Sequence, residues 1–436
     1  MRIEVRSTVG SRRVRPYMVK DKLKRLLKTF GPGFVTGASD DDPSGIATYS
    51  QTGAMFGYTQ LWTALFSFPF MAVIQEMCGR IGMVTGKGLA GVVKSHYSKK
   101  LLYFAVVLLL VANTINIGAD LGAMVAAAQL LIDVPFVILL ILITAGTLAL
   151  QILVPYKVYA KFLKYLTLSL FAYFIVVFVV KQDWGALILA TFVPHISLTK
   201  EYLVNIVAIL GTTISPYLFF WQASEEVEEE VDAGKIANMG QGKPRFSPFD
   251  LKTMRKDTVS GMLFSNLVMF FVIATTASTL HTNGIVNIVS AAQAAEALRP
   301  LVGDLAFVLF AAGIIGTGLL AVPVLSGSAA YAIAETLGWK EGLYRKVSQA
   351  HGFYGVIAIA TLVGLVLNFI PIPPFTLLYY AAVLNGIAAP PLLVILLLVA
   401  NNKKIMGKNT NTRASNVLGV IITTVMFIAA IGLFIL

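Results

Sequence analysis

The sequence predicts an all-α polytopic membrane protein of eleven transmembrane helices, arranged as an inverted repeat of five plus five with the eleventh appended. Three observations carry that prediction. The 436 residues are 57% hydrophobic and only 13% charged, about half the charged share of an ordinary soluble domain, and the mean hydropathy is +0.78. Apolar runs of about 18 residues or more, long enough to cross a bilayer, recur along the whole chain. Two of those runs carry a proline at a similar depth in their interior, in Asp42-Pro43 and in Ser215-Pro216.

Taken in order, the expected spans are residues 33–57, 60–83, 101–127, 134–153, 158–180, 203–224, 257–280, 302–334, 352–370, 375–400 and 415–436. Residues 1–30 form a basic segment with no apolar core before Gly33, so no cleavable signal peptide is expected and the first span serves as its own insertion signal. Residues 31–400 form the core, one repeat in about 31–180 and the other in about 200–400. Residues 401–436 supply a further loop and the last helix.

Charge sets the orientation. With the N-terminus inside, 30 of the 34 lysines and arginines fall in inside segments, and the outside loops hold only Lys181, Lys200 and Arg299. This asymmetry predicts a cytoplasmic N-terminus, an outside C-terminus and a place in the plasma membrane. It also accounts for the net charge of +12 by basic loops facing anionic headgroups, so no nucleic-acid partner is expected. Cys78 is the single cysteine, which excludes an intramolecular disulfide and a cysteine metal cluster.

Proline removes a backbone donor and pushes the residue before it out of the helical region. Asp42 and Ser215 are therefore expected at breaks in the first and sixth spans. Five helices separate them in register, so these two spans cross the membrane in opposite directions, and paired broken helices point to the substrate site of a transporter.

The stretch TGASDDDPSG places Asp40, Asp41 and Asp42 together inside the first span. An aspartate at the bilayer centre costs roughly 2.5–3.5 kcal/mol on insertion scales, so it persists only with a partner or a wet cavity. Asp42, at the break, is free to reorient and is the best direct ligand. Asp40 and Asp41 are expected to line a water-filled approach, to cap backbone groups or to hold a cation through water. Asn113, Asn116 and Asp120 of the third span share a helical face by their i, i+3, i+7 spacing, as a pathway wall or as a helix–helix seam. Asn385 in the tenth span, before GIAAPP, follows the same logic.

His96, His195, His281 and His351 fall in loops or at span ends. Met262 and Met269 read as core, and the acidic run Glu225 to Asp232 as a solvated extension of the sixth span. Phosphate loops and nucleophile motifs are not found, so the chain is not expected to be an enzyme.

These residues carry a family resemblance. GPGFVTGASDDDPSGIATYSQTGAMFGY resembles the first helix of the NRAMP family of divalent-metal transporters, QEMCGRIGMVTGKGLA its second, GADLGAM its third, and GTTISPYLFFWQ its sixth. The resemblance covers essentially the whole chain. It implies the LeuT-like inverted repeat with broken helices 1 and 6, and transport of a divalent cation as substrate, with no resident cofactor. By family position, Asp42 would supply the direct carboxylate, Ser39 and Thr212 backbone carbonyls, and Gly45 and Ser215 the remaining metal positions. Asp40, Asp41, Asn116, Asp120, Tyr217, Gln222 and Asn385 would line the cavity or pathway.

The departures are specific. The family's glycine and asparagine after Asp-Pro are Ser44 and Gly45 here; its methionine falls at Ser215, its two histidines at Tyr217 and Gln222, and a glutamate of the third helix at Ala123. These changes resemble the NRAMP-related magnesium transporter branch. Thioether sulfur favours softer metals, whereas Mg²⁺ wants octahedral oxygen, keeps several waters and touches one or two carboxylates. The expectation is Mg²⁺ uptake, with Mn²⁺ also carried, by a monomer with weak or no proton coupling. The alternatives are a proton-coupled Mn²⁺ or Fe²⁺ importer of the standard type, and an amino-acid transporter on the same fold, whose substrate carboxylate three aspartates would repel.

Overall fold

The protein was analysed as a computed structural model that describes residues 31–155, 158 and 167–435. The basic segment 1–30 and much of the first half of the fifth span lie outside the described residues. Every regular element among the described residues is helical.

The helices used below are α1 (Pro32–Asp40), α2 (Pro43–Phe56), α3 (Trp62–Thr85), α4 (Leu89–His96), α5 (Lys99–Ala128), α6 (Phe136–Leu153), α7 (Phe171–Val179), α8 (Trp184–Phe192), α9 (Lys200–Thr213), α10 (Pro216–Asp232), α11 (Pro248–Thr279), α12 (Ala306–Leu337), α13 (His351–Leu367), α14 (Pro374–Asn401) and α15 (Arg413–Ile435). Apart from the fifth, whose first half lies largely outside the described residues, the predicted spans fall on these helices with ends shifted by a few residues, the largest shifts being the end of α10 and the start of α11. The sequence left α4 and α8 as loop. Both are short, of eight and nine residues, below the length on which helical periodicity stands out.

Four prolines show why the first and sixth spans break while other described spans with an internal proline do not. Pro69 and Pro323 lie inside continuous helices; the residues before them, Phe68 and Val322, have no polar group to end one helix or begin another. Pro43 and Pro216 follow Asp42 and Ser215, residue types that cap helices, and each proline becomes the first residue of a new helix, where its missing N–H costs nothing.

The core is two apolar clusters. Along the first span Ala38 belongs to one and Ile46 to the other; along the sixth, Ile214 to the first and Ile209 to the second; along α14, Ala389 to the first and Ala381 to the second. The change-over spans the break in the first span and falls between Ile209 and Leu210, about one turn before the break, in the sixth, so the polar residues there form a buried layer between two oily halves. α11 packs along α1, α2 and α3, and α5 against α12, α13 and α14. Outward-facing side chains such as Phe104, Ile141, Ile359 and Phe434 are exposed and apolar, as a lipid-facing surface requires. Seven of the described helical stretches are long and apolar enough to cross a membrane on length and composition.

Candidate functional site

The two breaks have the same construction. Asp41 (φ −83°, ψ 49°) ends α1 and Asp42 (φ −67°, ψ 171°) starts α2; Ile214 (φ −121°, ψ 56°) ends α9 and Ser215 (φ −72°, ψ 129°) starts α10. In a helix the carbonyl of residue i accepts from the N–H of residue i+4. Pro43 removes that donor from the Ser39 carbonyl, and Pro216 removes it from the Thr212 carbonyl. Hydroxyls take their places: Tyr217 donates to the Ser39 carbonyl at 3.1 Å, and Ser215 to those of Thr212 at 2.8 Å and Gly211 at 2.9 Å. Two carbonyls are thus left in the polar layer with partners that a bound cation can replace.

Asp42 joins three elements. Its Oδ1 accepts from the Gly45 N–H at 2.7 Å and from the Ser44 hydroxyl at 2.6 Å, and its Oδ2 accepts from the Asn116 amide of α5 at 3.0 Å. The second hydrogen of that amide goes to Asp120 Oδ2 at 3.1 Å, and Asn385 of α14 donates to Asn116 Oδ1 at 3.0 Å. Gly45 reaches Asp42 through its N–H. A Cβ at Gly45 would lie 3.2 Å from Thr212 Oγ1 and from the Asp40 carbonyl, and 3.4 Å from Tyr49, so a larger residue would push the two breaks apart.

Asp40 and Asp41 turn the other way, to α11. Ser265 donates to Asp40 Oδ2 at 2.7 Å and to Asp41 Oδ1 at 3.2 Å, one hydroxyl hydrogen shared between two carboxylates. Asp40 Oδ1, Asp41 Oδ2 and Asp120 Oδ1 have no hydrogen-bond partner. All four aspartates are at most 1% exposed, and none is in an ion pair among the described residues. Buried charge without a counter-charge is strongly unfavourable. A bound cation would balance these carboxylates.

Among the described residues no three His, Cys, Asp or Glu side chains converge into a ready-made metal cluster. The oxygens on offer are one or two carboxylates with carbonyl, hydroxyl and amide groups around them. The Tyr49 and Thr212 side chains border the same space.

The other expected residues divide. Asn116, Asp120 and Asn385 meet at Asp42. Asn113, on the same face of α5, instead bonds the Leu325 carbonyl at 2.9 Å and Ser328 at 2.7 Å on α12, so it is a helix–helix seam. Gln222 is not gathered in: it donates to Glu226 at 2.9 Å, one turn further along α10, beside Gly79 of α3. The acidic run corrects the sequence reading. It does extend the helix, but Glu225, Glu226, Glu228 and Glu230 are buried rather than solvated, with Glu228 accepting from Tyr331 and from the Leu343 N–H and Glu230 from Lys235 at 3.2 Å. Met262 and Met269 are core.

Ser265 was missed. Asp257, Gly261 and Ser265 recur every four residues in α11, a polar and small stripe that would have pointed to it.

Comparison with known proteins places this geometry. The model of the Natural resistance-associated macrophage protein-like (Nramp) family matches residues 33–436. The divalent metal cation transporter MntH of Agrobacterium fabrum is 28% identical over 290 residues, 64% of this chain and 60% of that protein. Among solved structures, the manganese transporter of Eremococcus coleocola, in complex with an aromatic bis-isothiourea substituted compound, superposes with a TM-score of 0.74 at 16% identity, over 97% of this chain and 88% of that one. Mhp1, a nucleobase-cation-symport-1 family transporter, superposes with a TM-score of 0.59 at 13% identity, over 93% and 89% of the two chains.

Proposed function

Because the chain belongs to the Nramp family, its match running over residues 33–436, we propose that it moves divalent metal cations across a membrane, with partly hydrated Mg²⁺ as its preferred cargo and Mn²⁺ also carried. One observation carries the reading: Asp40, Asp41 and Asp42 at the break of the first span and Asp120 of α5 beside it are buried without a counter-charge, and all but Asp42 keep an unpartnered oxygen.

Magnesium is favoured by the donor set. Ser215 stands where the family resemblance puts a methionine, and Ser44 and Gly45 follow Pro43 in place of glycine and asparagine. The carboxylates, carbonyls and hydroxyls around the break are hard oxygen donors, and among the described residues that bond them there is no sulfur to select a softer metal. One direct carboxylate with two displaceable carbonyls suits an ion that keeps part of its hydration shell. Asp40 and Asp41, each with a free oxygen, add charge where the ion's own water would sit. This is the NRAMP-related magnesium transporter branch.

The four histidines lie at helix ends or in connections, away from the polar layer, so proton coupling is weak or absent. A negative-inside potential of 100 mV supplies roughly 4.6 kcal/mol for a divalent cation, sufficient for uptake. The protein is a multi-pass plasma-membrane protein with a cytoplasmic N-terminus and an outside C-terminus, and a single chain builds the site, so a monomer suffices. A proton-coupled Mn²⁺ or Fe²⁺ importer is the competing reading, favoured by the manganese named for the Eremococcus neighbour.

Reconstitution into liposomes tests the cargo. Wild-type protein should take up Mg²⁺, and Mn²⁺ should compete; Asp42→Ala should abolish both while eluting as a folded, monodisperse protein. Mn²⁺ uptake that excess Mg²⁺ leaves untouched would contradict the reading.

A further inference from the structure

The last helix, α15, packs against α14, α9 and α3, and where its first half meets the end of α14 a groove of about 530 Å³ remains. The walls are apolar. Val394, Leu397 and Leu398 of α14 line it together with Val420 of α15, and all of these but Leu397 are exposed. The mouth is polar: Tyr97, in the connection between α4 and α5, and Asn401 and Asn402, at the end of α14, border it. Asn402 donates to the Tyr97 hydroxyl at 3.4 Å, and Asn401 and Asn416 of α15 exchange amide hydrogen bonds at 2.7 and 2.8 Å. Val394 lies about 10 Å along the helix from Asn401, so the groove begins at the end of the span and runs into its apolar part.

Positive charge gathers at the mouth. Lys99 and Lys100 follow closely on Tyr97, Lys403 and Lys404 follow directly on Asn402, and Lys408 and Arg413 complete the connection to α15. All six are exposed, and none is in an ion pair among the described residues. No aspartate or glutamate occurs in residues 77–119 or 342–436, so the segments that build the groove carry no acid to offset these cations. Glu76, joined to this connection through Arg80 and the Asn411 amide oxygen at 2.6 Å, is already paired with Arg80 and Arg255. A second basic pocket, lined by Lys87, Lys94, Lys340 and Arg345, also holds Glu335 and Glu341; its charge is offset from within.

We propose that the groove between α14 and α15 is a binding site for one anionic phospholipid. An acyl chain fills the apolar walls, and the headgroup phosphate is held at the mouth by Lys403 and Lys404. The Tyr97 hydroxyl, whose oxygen accepts from Asn402, has its own hydrogen left to donate to a phosphate oxygen. Basic loops elsewhere attract anionic headgroups diffusely, whereas a basic pocket between membrane helices selects them. With the exposed faces of Val394, Leu398 and Val420 covered, the lipid packs the last helix onto the bundle. The orientation proposed above places it in the inner leaflet; its binding is independent of the cargo.

The test uses full-length protein purified in detergent in metal-free buffer, titrated with phosphatidylglycerol or with phosphatidylcholine of the same acyl chains. Native mass spectrometry counts the lipid retained, and melting curves read the packing. The parent protein should retain one phosphatidylglycerol at a concentration about tenfold or more below that needed for phosphatidylcholine, and its melting temperature should rise with the anionic lipid. Lys403→Gln with Lys404→Gln, both at exposed positions, should erase most of that preference, each lysine near a membrane surface contributing to anionic binding. Val420→Trp, which fills the groove with the charges intact, should lower retention of both lipids. Lys252→Gln with Lys256→Gln, exposed cations at the start of α11, should change nothing. Equal retention of the two lipids by the parent would overturn the proposal. So would an unchanged preference in the Lys403 and Lys404 variant, unchanged retention in Val420→Trp, or an equal loss in the Lys252 and Lys256 variant, which would make the effect one of bulk charge.

Discussion

The side-chain amide of Asn116 donates to Asp42 Oδ2 at 3.0 Å, tying the middle of α5 to the break in the first span. The same amide nitrogen holds Asp120 at 3.1 Å, so one uncharged group spaces two carboxylates. Asn116→Ala should leave a folded protein whose Mg²⁺ uptake has an apparent KM raised about tenfold or more, since a hydrogen bond to a charged group contributes about 1.5–3 kcal/mol. Uptake titrated against Mg²⁺ checks this; an unchanged KM would remove Asn116 from the site.

Asp40 and Asp41 share one hydroxyl, that of Ser265, and repel each other without a counter-charge. Asp40→Asn should therefore raise the melting temperature of the metal-free protein while weakening Mg²⁺ binding, the trade-off expected where function keeps a locally unfavourable charge. Melting curves with and without Mg²⁺ measure both effects, and a lowered metal-free melting temperature would count against the charge argument.

Ser215 bonds back to the carbonyls of Gly211 and Thr212. Ser215→Met would exchange a hydroxyl for a thioether at the break and should shift the uptake preference toward Mn²⁺ and Cd²⁺. Competition uptake with the three ions reads the shift directly, and an unaltered profile would mean that ligand softness at 215 does not set selectivity.

Outside the spans, in the connection between α12 and α13, burial pushes the Glu341 carboxyl from an ordinary 4.5 up to about 10, with Glu335 and Glu228 adding like charge. The folded protein then keeps a proton that the unfolded chain releases above pH 4.5. The group's contribution to stability is full below that pH and is lost as pH rises toward 10. Glu341→Gln should accordingly raise the melting temperature at pH 7.5 and leave it unchanged near pH 4.

The breaks were legible because a capping residue followed by proline is a local signal, and helical spacing put Asn116 and Asp120 on one face of α5, but their meeting with Asp42, 74 residues from Asn116, is a tertiary contact that spacing does not give. Asn113 shows the limit of spacing: it shares a face with Asn116, yet its partners on α12 lie more than 200 residues away. Burial of the acidic run was equally hidden, since Glu228 is covered by Tyr331 and by the backbone of Leu343, contacts that no local pattern encodes. Asp257 passed unnoticed as a charge at a span end; its carboxylate accepts from the backbone N–H groups of Gly31, Gly33 and Phe34, more than 220 residues away.

The central claim is that these helix breaks pass a hydrated Mg²⁺ ion down the membrane potential without protons. Its most direct test is one proteoliposome experiment in which a potassium diffusion potential is imposed and internal Mg²⁺ and internal pH are followed together. Mg²⁺ influx that grows with the negative-inside potential, with no matching acidification, is the predicted result. Mn²⁺ influx with stoichiometric acidification and no Mg²⁺ influx would contradict it.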